Sequence, residues 1–279
     1  MTYFKTLGLH KEPFSTSPDP DFFYLSKEHE AALTNIIIEL RLKRGLSVIL
    51  GDVGTGKTTL SRKLIQALTT RDDIIFSVIF DPSFENEYLF LTSLVKNFEI
   101  AIAPTATILD LRQSLERFLF QKGVTENKTI VLIIDEAQKL NAASLENLRS
   151  LLNYETNEFK LLQLILLGQL ELHALVIDMA NFFDRISFKY TLNPLGLAET
   201  KEMINFRVRQ GGYNAMMQLF SDEAIAEIHD YAKGYPRRVM MICHKALKNL
   251  ILQNKVVVDR QIIKEIISDE MKHGWARTK

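Results

Sequence analysis

Val48-Ile49-Leu50-Gly51-Asp52-Val53-Gly54-Thr55-Gly56-Lys57-Thr58-Thr59 joins a short apolar strand to a glycine-rich turn and a polar helix start. From Gly51 to Gly56-Lys57-Thr58 the spacing follows G-x-x-x-x-G-K-[ST], the pattern of a loop that wraps phosphate. Gly51, Gly54 and Gly56 leave the backbone unobstructed, so successive N–H groups can converge on phosphate oxygens. A helix beginning near Lys57 adds unpaired amides and the positive end of its dipole at the same place. Lys57 is expected to reach the β- and γ-phosphates, and the Thr58 hydroxyl to ligate Mg²⁺. Gly51, Asp52, Val53, Gly54, Thr55, Gly56, Lys57, Thr58 and Thr59 form the predicted nucleotide-binding set. Leu60, Leu64, Ile65 and Leu68 continue the helix at helical spacing.

The second informative stretch is Thr129-Ile130-Val131-Leu132-Ile133-Ile134-Asp135-Glu136. Continuous rather than alternating apolarity is what a parallel strand covered on both faces requires. In such a sheet ligands bind at the carboxyl ends of strands. The phosphate loop leaves one such end and Asp135-Glu136 occupies another, so the reading places both carboxylates over the triphosphate from the tips of two adjoining strands. Asp135 is expected to hold Mg²⁺, and Glu136 to orient and polarise an attacking water. That carboxylate favours hydrolysis over transfer to a small-molecule acceptor.

Three more side chains are candidates. Gln169 ends the next apolar run, Leu161–Leu167, where it could hold the water or the γ-phosphate, or bond only to neighbouring backbone. Arg185 follows Phe182-Phe183-Asp184 and could reach a γ-phosphate bound by a neighbouring subunit, or pair with Asp184 or another surface carboxylate. Gly234-Tyr235-Pro236-Arg237-Arg238 opens a helix, with proline fixing its first turn. Arginine beside a positive helix end implies an anion, and either Arg237 or Arg238 could meet a triphosphate; a solvated pair is the plainer alternative.

The rest of the chain alternates strands and helices up to Asn193-Pro194. A helix capped by Ser26 is followed by the loop strand and a strand over Ile74–Phe80. Helices are expected over 86–98, 107–121 and 143–153, a helical segment from Leu170 to Phe183, and a last strand over Ser187–Leu192. Beyond Pro194 only helices are read, over 200–210, 222–233, 236–252 and 260–271, with Ser221 and Asp259 as caps. The prediction is an α/β fold, a parallel sheet sandwiched by helices, followed by a small all-helical lid. The domains are 1–192, including a loop-rich N-terminus, and 193–279, with Lys272–Lys279 expected to fray. The aromatics between Phe14 and Leu25 could either contact an adenine or pack the first helix onto the sheet. No guanine-reading N-K-x-D is present, since Asn127-Lys128-Thr129-Ile130 lacks the aspartate.

Bulk properties add bounds. At 279 residues with zero formal net charge, nothing in the overall charge calls for nucleic acid or an anionic membrane. The single cysteine, Cys243, cannot form an internal disulfide and sits in a helical apolar pattern as a small hydrophobe. No apolar run approaches the ~20 residues of a membrane-spanning helix, so a soluble chain is expected.

Taken together these motifs resemble the AAA+ ATPases, more specifically the ExeA/GspA-type ATPases of bacterial secretion and the MshM-type proteins of type IV pilus assembly. The likeness runs from Phe4, Leu7-Gly8-Leu9, Pro13-Phe14, Pro18-Asp19-Pro20 and Phe23-Tyr24-Leu25-Ser26 through the phosphate loop. It continues in Asp135-Glu136-Ala137-Gln138, Leu145–Asn153 and Leu167-Gly168-Gln169-Leu170-Glu171-Leu172. It ends with Arg185-Ile186, Pro194-Leu195 and Gly234-Tyr235-Pro236-Arg237. The resemblance implies that Gln169 stands at sensor 1, Arg185 at the arginine finger and Arg237 at sensor 2. Leu170 replaces the usual proline, which puts no chemistry in doubt. ExeA-like proteins continue into a membrane helix and a peptidoglycan-binding domain, neither of which is read in these residues; either the chain is a piece of a longer protein or it is of the short MshM-like type, so peptidoglycan binding is not carried over.

The resulting expectation is an ATPase using ATP and Mg²⁺ bound between base and lid in a homo-oligomeric ring. Its catalytic residues are Lys57, Glu136, Gln169, Arg185 and Arg237, and its metal ligands Thr58 and Asp135. The expected setting is cytoplasmic, including the inner face of the inner membrane, with a cell-envelope protein partner. The rival is a DNA-linked AAA+ ATPase of the transposition-regulator (TniB/TnsC) type. Zero net charge counts against it, because phosphate contacts need clustered Lys and Arg.

Overall fold

Residues 130–134 are each fully buried, as a strand covered on both faces requires. They belong to β3 (Thr129–Ile134) in the computed structural model, which describes residues 3–15 and 20–272. Pro18 and Asp19 of the opening motif, and residues 273–279 of the stretch expected to fray, lie outside the described residues. The other strands are β1 (Leu46–Gly51), β2 (Ile74–Ile79), β4 (Leu162–Gly168) and β5 (Ile186–Leu192). All pairings are parallel, in the order β2-β3-β4-β1-β5.

This order corrects one expectation. The strands that end in the phosphate loop and in Asp135-Glu136 do not adjoin. β4 lies between them, pairing Leu50 with Gly168 on one side and Ile134 with Leu166 on the other. Apolar pattern identifies a central strand but carries no information about its neighbours. The burial pattern agrees with the order: β4 is buried along its length, whereas β5, at an edge, alternates between half-buried and exposed residues.

Contacts divide the chain into two compact units. The first comprises residues 27–53 and 60–192. Along its strands, Leu46, Val48, Leu132, Ile134, Leu164 and Leu166 enter one core. That core is shared with α3 (Glu87–Asn97), α4 (Ile108–Phe120), α5 (Ala142–Leu151) and α6 (Glu171–Ile177). Ile49, Val131, Ile133, Ile165 and Leu167 alternate to the opposite face and are equally buried. There α1 (Lys27–Leu42) packs on β1 and β5. Asn86, Thr107 and Asn141 cap α3, α4 and α5 by accepting from the amides of Leu89, Asp110 and Ser144.

The helical segment expected from Leu170 to Phe183 is two pieces, α6 and a short α7 (Ala180–Phe183), broken at Met179 (φ −108°, ψ 75°). Helical phase continued from Leu172 and Val176 would carry Phe183 into the core. The break buries Phe182 there instead and leaves Phe183 half-buried under the Lys189 ammonium. No glycine or proline marks the position.

The second unit comprises residues 1–26, 54–59 and 193–279. Its helices are α8 (Leu197–Gln210), α9 (Asp222–Ala232), α10 (Pro236–Leu252) and α11 (Arg260–Lys272). Ser221 and Asp259 accept from the amides of Ala224 and Ile262, as the sequence predicts for caps. Leu9 and Phe14 enter this unit's core, Phe14 edge-on to Phe220 with centroids 5.7 Å apart. Tyr24 packs beside Phe206. Phe4, Phe14 and Tyr24 therefore pack against this unit's helical core.

Arg207 explains why. It is 7% exposed and donates to the carbonyls of Pro13 (2.7 Å), Phe22 (2.6 Å) and Ser15 (3.1 Å), with its guanidinium over the Phe22 ring. A buried cation satisfied by main-chain oxygens fixes this segment in place. Cys243 is fully buried, and burial pushes its thiol pKa well up, which makes it inert packing. Among the described residues no helix is long and apolar enough to cross a membrane.

Candidate functional site

Between β1 and α2 (Lys57–Thr69) the chain turns through Gly54 (φ +88°) and Gly56 (φ +102°). Both lie where a side chain is rarely tolerated, so the glycines predicted from the motif are conformationally required. Thr55 is fully buried and Lys57, the first residue of α2, is 5% exposed. Thr58 follows on the first turn, half-buried. The backbone geometry, with a lysine and a hydroxyl at the helix start, suits a triphosphate.

Within the same unit, the Arg237 amide donates to the carbonyl of Gly54 at 3.3 Å. A Cβ on Gly54 would stand 3.0 Å from Cβ of Arg237. The approach to α10 is itself pinned. Gly234 (φ +73°) passes so close to Leu195 that a Cβ would lie 2.0 Å from its carbonyl oxygen, and the Leu195 amide donates to Gly234. Pro236 then fixes the first turn. The two arginines, interchangeable in sequence, separate here: Arg238 stacks its guanidinium 4.9 Å from the Tyr235 ring centroid, whereas Arg237 is the one whose backbone meets the loop.

In the sheet-bearing unit, Asp135 is 1% exposed and its amide continues the β3 ladder to the Ile79 carbonyl at 2.9 Å. Glu136 takes left-handed backbone angles (φ 52°, ψ 36°), an uncommon conformation for a residue with a side chain, and its amide donates to Oδ1 of Asp135 at 2.9 Å. A short 3₁₀ turn over Ala137–Lys139 follows. Gln138 in that turn donates from Nε2 to Oε2 of Glu136 at 2.7 Å and accepts through Oε1 from the amide of Gln169 at 3.0 Å. The side-chain amide of Gln169 stands 3.4 Å from the same Glu136 oxygen. The structure thus brings Glu136, Gln138 and Gln169 together at neighbouring strand ends. Gln138 is a side chain whose place the sequence reading did not assign. Its signal was its place at the end of Asp135-Glu136-Ala137-Gln138, to which the resemblance gave no role.

Arg185 is elsewhere. It donates to the Asn181 carbonyl and to Oδ1 of Asn153, and its charge also acts on the surface carboxylate of Glu146. It precedes β5, and all strands are parallel. It therefore lies at the amino ends of the strands, opposite the tips carrying Asp135, Glu136 and Gln169, with a seven-residue strand length, on the order of 20 Å, between the two ends. Nearby, the Arg149 hydrogen bond, with smaller contributions from Arg185 and Arg112, holds the exposed Glu146 carboxyl below its ordinary range.

Taken singly, the Thr58 hydroxyl and the Asp135 carboxylate are hard oxygen donors, of the kind Mg²⁺ accepts beside phosphates and water.

Residues 40–176 match the AAA domain family, and the parallel sheet with its loop is a P-loop AAA fold. Over 247 residues the chain is 35% identical to General secretion pathway protein A of Aeromonas hydrophila, a match covering 88% of this chain and 44% of that relative. The chain thus spans less than half that relative's length. Among solved structures, Cdc6p of Pyrobaculum aerophilum aligns with a TM-score of 0.66 at 16% identity, covering 88% of this chain and 67% of that one. ORC2 of Aeropyrum pernix, solved in ADPNP–ADP complexes, aligns at 0.63 and 18% over the same shares. These likenesses carry the fold alone.

Proposed function

We propose that this chain is an AAA+ module that binds and hydrolyses ATP with Mg²⁺. The observation carrying this reading is the phosphate loop, with two positive-φ glycines leading into a helix whose first residue is a buried lysine. Gly51 through Thr59 would enclose the phosphates, with the Lys57 ammonium opposing their charge. Thr58 and Asp135 would supply the cation's protein oxygens. Bound there, Mg²⁺ would supply positive charge against that of the phosphates. Glu136 takes the proton of the attacking water, and Gln169 holds that water in line. Arg237 senses the γ-phosphate from the start of α10, and residues 193–279 act as a lid. Arg185 reaches a neighbour's nucleotide, so turnover requires a homo-oligomeric ring.

The relation to General secretion pathway protein A supports the finer role. The assembled ATPase would drive assembly or remodelling of a secretion or type IV pilus machine from the cytoplasmic side of the envelope. Zero net charge does not favour the DNA-linked alternative.

Equilibrium binding of ATP to the wild-type chain and to Lys57→Ala, with GTP as competitor, tests this reading. ATP should bind, Lys57→Ala should weaken it by about 10-fold or more, and GTP should compete poorly. Equal ATP binding by both proteins would overturn the assignment of the loop.

A further inference from the structure

Gln138 uses both ends of its amide. Nε2 donates to Glu136 Oε2 at 2.7 Å, and Oε1 accepts from the Gln169 amide at 3.0 Å. This pair of contacts fixes the amide's orientation, because a flip would set oxygen against carboxylate and NH₂ against N–H. The turn can sit so close to β4 only because residue 168 is glycine. A Cβ there would lie 3.3 Å from the Gln138 nitrogen and 2.6 Å from Cδ2 of Leu172. Glu136 itself is anchored by left-handed backbone and by the hydrogen bond from its amide to Asp135, so what remains to be set is the direction of its side chain. Gln138 makes the shorter contact to that carboxylate, 2.7 Å against 3.4 Å from the Gln169 side chain, and refers its direction to the tip of β4.

We propose that Gln138 is a positioning residue for hydrolysis, holding the Glu136 carboxylate in its working direction and coupling that direction to Gln169. The proposal rests on Glu136 as the water-activating group. A displacement in Gln169 when it meets the γ-phosphate or the attacking water then passes through the Gln138 amide to Glu136. A carboxylate left to rotate would lose alignment, and misplacement by about 1 Å costs on the order of 10²-fold in rate.

Gln138→Met tests this in the full chain. Methionine has the same length and fills the same space without either hydrogen bond, so a packing role survives it and a positioning role does not. Gln138→Glu is the second variant. It keeps an acceptor for the Gln169 amide but sets a negative charge against Glu136. Both are expected to lower kcat by about 10- to 100-fold with ATP affinity and thermal midpoint near wild type. Adding Gln138→Met to Glu136→Gln should cause no further loss, because the residue acts through that carboxylate. Wild-type kcat in Gln138→Met, or a fall in ATP affinity matching the fall in kcat, would overturn the positioning role. Wild-type turnover by Glu136→Gln would instead overturn the reading of Glu136, a result distinguishable from the other two.

Discussion

The amide of Arg237 donates to the carbonyl of Gly54, making the first turn of α10 a main-chain neighbour of the phosphate loop. Removing the Arg237 side chain leaves that bond in place. Arg237→Ala is therefore expected to lower kcat by about 10-fold or more while changing nucleotide affinity less, the pattern of an interaction used in the transition state. Arg238→Ala, which loses its stacking on Tyr235, should leave both near wild type. Nucleotide titration and steady-state turnover of the two variants check this.

Gly54 supplies a second test, since its φ of +88° and its 3.0 Å Cβ approach to Arg237 both oppose a side chain. Gly54→Ala should weaken nucleotide binding by about 10-fold or more, through strain of about 1–3 kcal/mol in the loop. Gly8→Ala is the control: φ is +75°, but nothing lies within 4 Å of the added Cβ. It should cost stability alone, read by thermal unfolding, and leave binding unchanged.

Arg185 sits at the amino ends of the strands, opposite Glu136, which suits service to another subunit. Arg185→Ala is expected to bind nucleotide normally and lose about 10³–10⁵-fold in turnover of the assembled protein. Lys57→Ala should be inactive for the other reason, an impaired loop. Mixed oligomers of the two should regain turnover, because a Lys57→Ala subunit lends its arginine to an intact loop. An Arg185→Ala variant with normal turnover, or a mixture as inactive as its parts, would contradict the assignment.

Arg207 yields a stability prediction. Arg207→Met leaves the carbonyls of Pro13, Ser15 and Phe22 without this buried donor. The expected cost is about 3 kcal/mol in urea unfolding. Proteolysis should also cut more readily within residues 3–26. A change under about 0.5 kcal/mol would show that the segment is held by its aromatics alone.

Much of this was legible in the residues. The glycine spacing from Gly51 to Gly56 specifies a backbone shape, and the run into Asp135-Glu136 specifies a strand buried on both faces, so both features appear where the pattern puts them. Strand order did not, because Leu161–Leu167 is apolar enough to lie anywhere in the sheet interior. The aromatics of the N-terminus announced burial without naming the surface, and their anchor, Arg207, looked like any arginine on a helix. Residue chemistry did not separate Arg237 from Arg238, since adjacent residues on one helix differ by direction; the resemblance chose Arg237, and the coordinates set its backbone against the loop. The break at Met179 has no sequence signature because it answers to which phenylalanine fits the core.

The most direct test of the central claim is single-turnover hydrolysis of Mg²⁺·ATP by the assembled protein, wild type beside Glu136→Gln. The wild type should convert bound ATP to ADP, and the variant should bind ATP equally well and keep it intact, slowed by about 10²-fold or more. ADP formation by Glu136→Gln at the wild-type rate, or none by the wild type, would contradict the account.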